Sequence, residues 1–401
     1  DAVCIVGTLP EPFENQALFA VFDGHGGSQV SHIASKEFPK VLTACANKIS
    51  SGGGSCSSSP GRQAASDCHD GDKEDKEDKD CHSEASPSGA AGAPEQDWEE
   101  EFSTPRGDPK SASADVCSID SIEAHHLTGS AAKVQGNLPS RSLAMTMIAM
   151  DAFLRRLGSG LATNAAAGGK IAQQNGPLGV MARHLEASDH QKNAFNLVGS
   201  TAIVVLIDCG GPDGDPSEPC EEGASEKKSS GRPRSLTVAN CGDSRALLCR
   251  AGKVVELSED HKPELESEEL RIRKAGGCVK MIGPCHRIDG WGLNLSRALG
   301  DFHYKARADL PVDQQKVIAV PEIRTLQLND EDEFLVLGCD GCFELHTSQN
   351  VIDIVRKALQ SGMTLQQAAE ELVDRSCSPN LMKTRGKGGD NCSCIIIRLP
   401  K

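Results

Sequence analysis

Aromatic residues are scarce in this 401-residue chain: two tryptophans, one tyrosine and ten phenylalanines make up 3% of it. Hydrophobic residues reach only 38%. That is too little for a core running the whole length, so long stretches without a core are expected. Long apolar runs are missing as well. No segment approaches the ~20 residues of a membrane span, and no charged-then-apolar leader opens the chain. A surplus of positive charge is also absent. The net charge of -15 argues against nucleic acid or an anionic membrane as a default partner. Cysteine, by contrast, is plentiful at 17 residues, spread through apolar stretches and loops. In a chain of this size that pattern predicts reduced thiols and an intracellular protein rather than a disulfide scaffold. The start at Asp1, without Met, suggests a trimmed chain.

The most informative stretch is Leu18 to Gly27. An apolar run, Leu18 to Phe22, stops abruptly at Asp23-Gly24-His25-Gly26-Gly27. The run reads as a buried strand, and helical spacing from Ser28 to about Lys48 places Asp23 and His25 on a strand-to-helix turn. A kink or split is expected at Pro39. Glycine lets backbone come close to whatever the Asp holds. A carboxylate beside a histidine and bare carbonyls suits a hard metal ion and a proton donor.

From residue 50 to 139 the chain turns to Ser, Gly, Ala, Pro and mixed charge, which predicts a disordered insert with Trp98 and Phe102 as its only aromatics. Order resumes in a helix over Ser142 to Leu157. A looser Ala/Gly/Asn-rich stretch from Ala162 to about Asn196 precedes a β-branched strand, Gly199 to Ile207. A second polar insert covers 208–234. Short strands then follow at Leu236 to Cys241, Ala246 to Arg250 and Lys253 to Leu257, joined by tight turns. A helix over Glu266 to Ala275 stops at Gly276-Gly277. Ile323 to Leu328 and Glu333 to Cys339 are expected to pair around Asn329-Asp330. Two helices, Thr347 to Ser361 and Thr364 to Ser376, lead to a closing strand, Cys392 to Leu399; the second opens on a Thr364/Gln367 capping box. Strand runs with helices gathered between them predict an α+β fold of mainly antiparallel sheets covered by helices.

Asp23 has counterparts. Glu333 to Cys339 is again an apolar strand running into Asp340-Gly341, Asp390-Asn391 immediately precedes the closing strand, and Asp243 ends the strand at Cys241. Several carboxylates at strand ends repel one another unless a cation neutralises them. An all-oxygen shell favours Mg²⁺ or Mn²⁺ over zinc, and two such ions suit displacement at phosphorus.

The ordered string of motifs resembles the metal-dependent protein phosphatases, the PPM or type 2C serine/threonine family. It comprises Phe22-Asp23-Gly24-His25-Gly26-Gly27, Gly199-Ser200-Thr201-Ala202, Asn240-Cys241-Gly242-Asp243-Ser244-Arg245, Asp260-His261-Lys262-Pro263, Ala275-Gly276-Gly277, Leu295-Ser296-Arg297-Ala298-Leu299-Gly300-Asp301, Cys339-Asp340-Gly341 and Asp390-Asn391. The resemblance implies one phosphatase domain over 1–401, interrupted by the two inserts. It implies a four-layer α/β/β/α sandwich, two sheets flanked by helices, with a binuclear Mn²⁺/Mg²⁺ site at one end. Asp23 and the Gly24 carbonyl would serve that site, with Asp340 and Asp390 on the second ion. Asp243 and Glu344 match positions for a third, weaker ion. A metal-activated water would attack phosphoserine or phosphothreonine of a phosphoprotein partner, and His25 would protonate the leaving alkoxide. The family acts mostly as monomers.

Two departures stand out. Asp1-Ala2 matches the tail of the family's Met-Glu-Asp motif, so its Glu and the phosphate-binding Arg are expected upstream of Asp1. Glu344 stands where the family has Asp, one methylene shorter. These departures motivate the competing reading, a pseudophosphatase that presents the fold to phosphoproteins as a binding module. Other signals carry less. Cys56 and Arg62 have cysteine-phosphatase spacing but no preceding strand. Cys339, Cys342, Cys392 and Cys394 read as core thiols, His261 as a turn residue, and Arg245 and Arg297 as structural ion-pair residues.

Overall fold

The structure, a computed structural model, describes residues 1–51, 135–166, 193–210 and 235–400. The inserts expected at 50–139 and 208–234, with Trp98, Phe102, Cys56 and Arg62, therefore lie almost wholly outside the described residues, as does most of the looser stretch before Asn196.

Fourteen strands are described: β1 (Ala2–Val6), β2 (Gln16–Phe22), β3 (Gly24–His25), β4 (Gly199–Ser200), β5 (Ala202–Asp208), β6 (Ser235–Cys241), β7 (Arg245–Arg250), β8 (Lys253–Glu256), β9 (Val279–Ile282), β10 (Cys285–Ile288), β11 (Leu299–Gly300), β12 (Glu322–Gln327), β13 (Asp332–Gly338) and β14 (Cys394–Arg398). The helices are α1 (Gln29–Ser51), α2 (Leu138–Ala166), α3 (Glu266–Lys274), α4 (Ser348–Gln360), α5 (Leu365–Ser376) and the short α6 (Leu381–Thr384).

Two antiparallel sheets carry the fold, in the orders β1-β2-β5-β6-β12 and β14-β13-β7-β8. Period-2 alternation assigns each side chain its layer. Along β2 and β5, Leu18, Ala20, Phe22, Val204 and Leu206 pack with Val30, Phe38 and Leu42 of α1 and Leu143, Met147 and Leu154 of α2. The alternate residues Val21, Ile203, Val205 and Ile207 meet Leu247, Leu335 and Leu337 of the second sheet. Val351 and Val355 of α4 and Leu372 of α5 join that second cluster. The layers are thus helix, sheet, sheet, helix, the expected α+β sandwich. Both faces of β5 and β13 are covered, which is why those strands read as unbroken apolar runs.

Several details differ from the sequence reading. Strands β12 and β13 do not pair with each other: β12 lies on β6 at the edge of one sheet, while β13 sits between β14 and β7 in the other. Asn329-Asp330 is thus a crossing between layers, where Asp332 accepts from Asn329 N at 2.8 Å and holds Arg250. The turn at Gly242-Asp243 likewise passes from sheet to sheet, whereas Ala251-Gly252 does close a two-residue hairpin with positive φ at both positions. Helix α1 runs through Pro39 as one element, and α2 begins at Leu138 and continues to Ala166, beyond the expected Ser142 to Leu157 at both ends. The hairpin β9–β10 and the small sheet β11-β4-β3 carried no sequence signal. The stop after α3 is a paired-bond C-cap: Gly276 N–H reaches Arg273 O and Gly277 N–H reaches Ile272 O, both at 2.9 Å. The Thr364/Gln367 capping box is formed.

Candidate active site

The register β1–β2–β5 delivers Asp23 to one end of the sandwich. Its backbone is pinned by Thr201, whose N–H donates to Asp23 O at 2.9 Å and whose Oγ1 accepts from Asp23 N at 3.3 Å. Thr201 Oγ1 also bonds Ser244 Oγ at 2.7 Å, tying this corner to the turn that carries Asp243. From the other sheet, β13 ends at Cys339 and a tight turn over Asp340–Cys342 presents Asp340. Ligand atoms of Asp23, Cys339 and Asp340 lie within 4.8 Å of one another. Cys339 Sγ is already engaged by backbone, donating to Asn391 O at 3.3 Å and accepting from Ser393 N at 3.2 Å. That leaves the two carboxylates as the available donors.

These carboxylates sit in a strained electrostatic setting. Burial, then the neighbouring charges of Cys339, Asp340, Asp243 and Asp390, push Asp23 up to about 8. Burial, then Asp243 and Asp390, push Asp340 up to about 6. Half-buried acids that repel one another fit a divalent cation, which would neutralise both. Gly24 faces inward, where an added Cβ would meet Ser31 Oγ at 2.7 Å.

The remaining expected ligands are nearby but otherwise occupied. Asp390 is exposed, outside the tight group, and accepts from its own neighbour Asn391 N at 2.9 Å. Asp243 is buried and ion-paired with Lys262. Glu344 accepts from Gly388 N at 2.6 Å. Asp1, opposite the Asp23 end of β2, accepts from Ser393 Oγ at 2.9 Å.

His25 Nε2 contacts Asp301 Oδ2 at 2.6 Å. Burial disfavours the imidazolium, but the Asp301 carboxylate outweighs it and the net shift is upward. Asp301 holds a left-handed conformation, φ 52°, with its N–H on Val198 O at 3.0 Å. Asp tolerates that region better than most residues. Its second oxygen, Oδ1, is buried without a partner. Gly199 lies beneath the pair; a Cβ there would overlap both Asp301 and His25. Sequence reasoning quoted Asp301 within a motif but assigned it no role, and it gave Lys262 none. Asp301 is 276 positions from His25, and Lys262 is 19 from Asp243. The readings of Arg245 and Arg297 hold: Arg245 forks onto Asp260 at 2.7 and 2.8 Å, and Arg297 pairs with the buried Glu268 at 2.8 Å. His261 is a turn residue, its Nδ1 accepting from Gly242 N at 3.2 Å and its N–H donating to Gly242 O at 3.0 Å.

A helix-flanked double sheet whose strand ends gather half-buried carboxylates, with a His–Asp pair close by in sequence, defines a class of protein suited to hold a divalent cation. Residues 180–384 match the family model described as Protein phosphatase 2C, a little over half of the chain, and the chain belongs to that family. Asp301 and Asp340 lie within the matched residues; Asp23, His25 and Asp390 lie outside them. Protein phosphatase 1G of Homo sapiens is 44% identical over 172 residues, 41% of this chain and 31% of that protein. Probable protein phosphatase 2C 60 of Arabidopsis thaliana is 42% identical over 167 residues, 42% of this chain and 45% of that protein. The chain thus matches less than half the length of these relatives. A crystal structure of a phosphatase from a pathogenic strain of Toxoplasma gondii shares the fold, with a TM-score of 0.51 at 22% identity, over 100% of this chain and 88% of that one. Among the described residues, no helix is long and apolar enough to cross a membrane.

Proposed function

We propose that this chain is the catalytic domain of a metal-dependent protein phosphatase that hydrolyses phosphoserine and phosphothreonine in protein substrates. The observation that carries the reading is the His25–Asp301 pair standing by the Asp23/Asp340 cluster: a proton donor beside a cation site. Asp23, the Gly24 carbonyl and Asp340 would hold Mn²⁺ or Mg²⁺, with Asp390 closing the second position. Bound there, such ions supply charge neutralisation and Lewis-acid activation of the attacking water.

The chain's own residues do the rest. Thr201 fixes Asp23 by its backbone, so its carboxylate is oriented before any ion arrives. Asp301 orients the His25 ring through Nε2 and favours its protonated form, which leaves Nδ1 to donate a proton to the departing serine or threonine alkoxide. Phosphate and the free hydroxyl are the products. A third ion would need Asp243 released from Lys262 and Glu344 from the Gly388 amide, so it would bind more weakly than the first two. The working unit is a monomer that takes a phosphoprotein as its partner.

The Asp243–Lys262 ion pair also gives the second reading its footing, because a protein cation already neutralises one acidic residue. In that reading the domain is a pseudophosphatase that binds phosphoproteins without turning them over. The test is phosphate release from a phosphothreonine peptide with Mn²⁺, using the chain extended upstream of Asp1 and its Asp340→Asn variant. Activity in the first and its loss in the second support the enzyme. An extended protein that is inactive, or equal activity in both, overturns it, and calorimetry with no tight Mn²⁺ binding then favours the binding module.

A further inference from the structure

Next to Asp301 lies an ion pair that the proposed reaction does not use. Asp151 stands on α2, and Lys305 ends the single 3₁₀ turn Phe302–Lys305 that follows Asp301. Lys305 Nζ donates to Asp151 Oδ1 at 2.6 Å. Both groups are largely taken from water: the Lys305 side chain is 3% exposed and that of Asp151 14%. Desolvating two charges is costly, and two apolar side chains of similar volume often stabilise a fold as well or better. The pair therefore calls for a task that apolar packing could not perform.

What else the two groups hold points to that task. Asp151 Oδ1 also accepts from the amide of Gly300, the residue before Asp301, at 2.9 Å. Lys305 Nζ also reaches back to Ala298 O at 2.8 Å. The pair thus grips the segment 298–305 on both sides of Asp301. Bonds to a charged group are shorter and stronger than neutral ones, and an ammonium carries three donors on one atom. Arg155, one helical turn on from Asp151, adds a further hold: its guanidinium donates to Lys305 O at 3.2 Å and lies 4.4 Å from the centre of the Phe302 ring. Backbone bonds complete the seat, from Asp301 N to Val198 O at 3.0 Å, Phe302 N to Phe195 O at 3.2 Å and His303 N to Asn196 O at 3.0 Å. The Asp301 side chain has no such support. Among the described residues its Oδ2 meets His25 and its Oδ1 meets nothing. The aim of that carboxylate is therefore set by the backbone that carries it.

We propose that Asp151 and Lys305 are positioning residues, which lock the 298–305 segment so that Asp301 holds the His25 ring oriented to give up its proton. The orientation of the ring stands on these contacts alone; its catalytic consequence rests on the phosphatase reading.

The test uses the full-length protein with both residues replaced, Asp151→Leu with Lys305→Met, so that no buried charge is left without a partner. A second variant, Asp151→Asn, keeps an acceptor for the Gly300 amide. Turnover with Mn²⁺ is measured on a phosphothreonine peptide and on an aryl phosphate. The His25 Nε2–H proton is followed by NMR, a readout that needs no activity. For the double variant the expected result is a kcat about tenfold lower on the peptide, with KM and the aryl phosphate rate within about twofold of the parent. Its Nε2–H signal should be lost to exchange with water, and Asp151→Asn should fall between the two. Placed in an Asp301→Asn background, the double replacement should lower kcat no further, because the group through which it acts is already gone. Equal losses on both substrates, a loss that adds in full to that of Asp301→Asn, or an Nε2–H signal absent from the parent or unchanged in the double variant overturns the proposal. So does a double variant that no longer folds, since the pair then serves the fold and not the histidine. A parent that hydrolyses neither substrate sinks the phosphatase reading, and the Nε2–H signal still decides whether the pair aims the ring.

Discussion

His25 and Asp301 are 276 positions apart, yet Nε2 and Oδ2 meet at 2.6 Å above a glycine that has no Cβ to part them. A buried carboxylate in a left-handed backbone conformation, with one oxygen on the ring and the other unpartnered, is an arrangement held by its surroundings rather than by local preference. If its task is to keep His25 oriented and protonated, Asp301→Asn should lower kcat about 10–100-fold while KM changes little. The loss should be largest for a phosphothreonine peptide, whose alkoxide needs a proton, and small for an aryl phosphate, whose phenolate leaves unaided. Equal losses on both substrates would show that Asp301 serves the fold alone. Gly199→Ala should reproduce the substrate dependence, because its methyl would wedge the pair apart.

Asp23 and Asp340 predict a trade between stability and binding. Their carboxylates repel each other across a half-buried space, so the metal-free protein carries a destabilising contact. Asp340→Asn should raise the melting temperature of metal-free protein by a few degrees, the effect of about 1 kcal/mol in a domain of this size. With Mn²⁺ the order should reverse, because ligand binding stabilises only the protein that binds it. Calorimetric scans with EDTA and with Mn²⁺ check both signs. A metal-free variant that melts below the parent would mean that the carboxylates are not in conflict.

Much of this site was legible because its carboxylates end apolar strands, a pattern that survives without any knowledge of pairing. Asp23 and Asp340 could be found in that way, and so could the helix-covered sheets. What stayed hidden depended on contacts between distant segments. The assignment of β12 and β13 to different sheets is set by neighbours on β6, β7 and β14, while local sequence gave only two apolar runs with a turn between them. Asp301 meets His25 only because β11 and β3 flank β4 in one small sheet, and Lys262 meets Asp243 only once the strands between them have folded back.

Gly341 predicts how tightly the Asp390 segment is seated. A Cβ there would overlap the backbone carbonyl of Asn391 and approach Cys392 Sγ at 3.2 Å. Because the clash is with backbone, the segment itself must move. Gly341→Ala should therefore cost about 1–3 kcal/mol in stability and weaken one Mn²⁺ site about tenfold, leaving the other close to its parent value. Titration calorimetry resolving two sites is the measurement. An equal loss at both would show that the Asp390 segment does not serve one ion alone.

Glu268 predicts the acid limit of the fold. It is buried, and burial alone would raise its pKa, but hydrogen bonds from Arg297 and Ser296 and the charge of Arg271 bring it down to about 2. In the unfolded chain it titrates near the ordinary value of 4.5. The sign follows: the ion pair's contribution is fully present above the unfolded value and is lost as pH falls from there toward 2. The shift corresponds to about 3 kcal/mol, in line with the ~3–5 kcal/mol lost when one member of a buried pair is removed. His261 adds to the same trend, since burial, then the Arg297 charge, lowers it to about 3, so the folded state resists protonation that the unfolded chain accepts near 6.5. Glu268→Gln should lower stability at pH 7 by roughly the full amount and flatten the dependence between pH 4.5 and 2. Urea unfolding across that range checks it. Parallel curves for parent and variant would show that Glu268 takes no part in the acid transition.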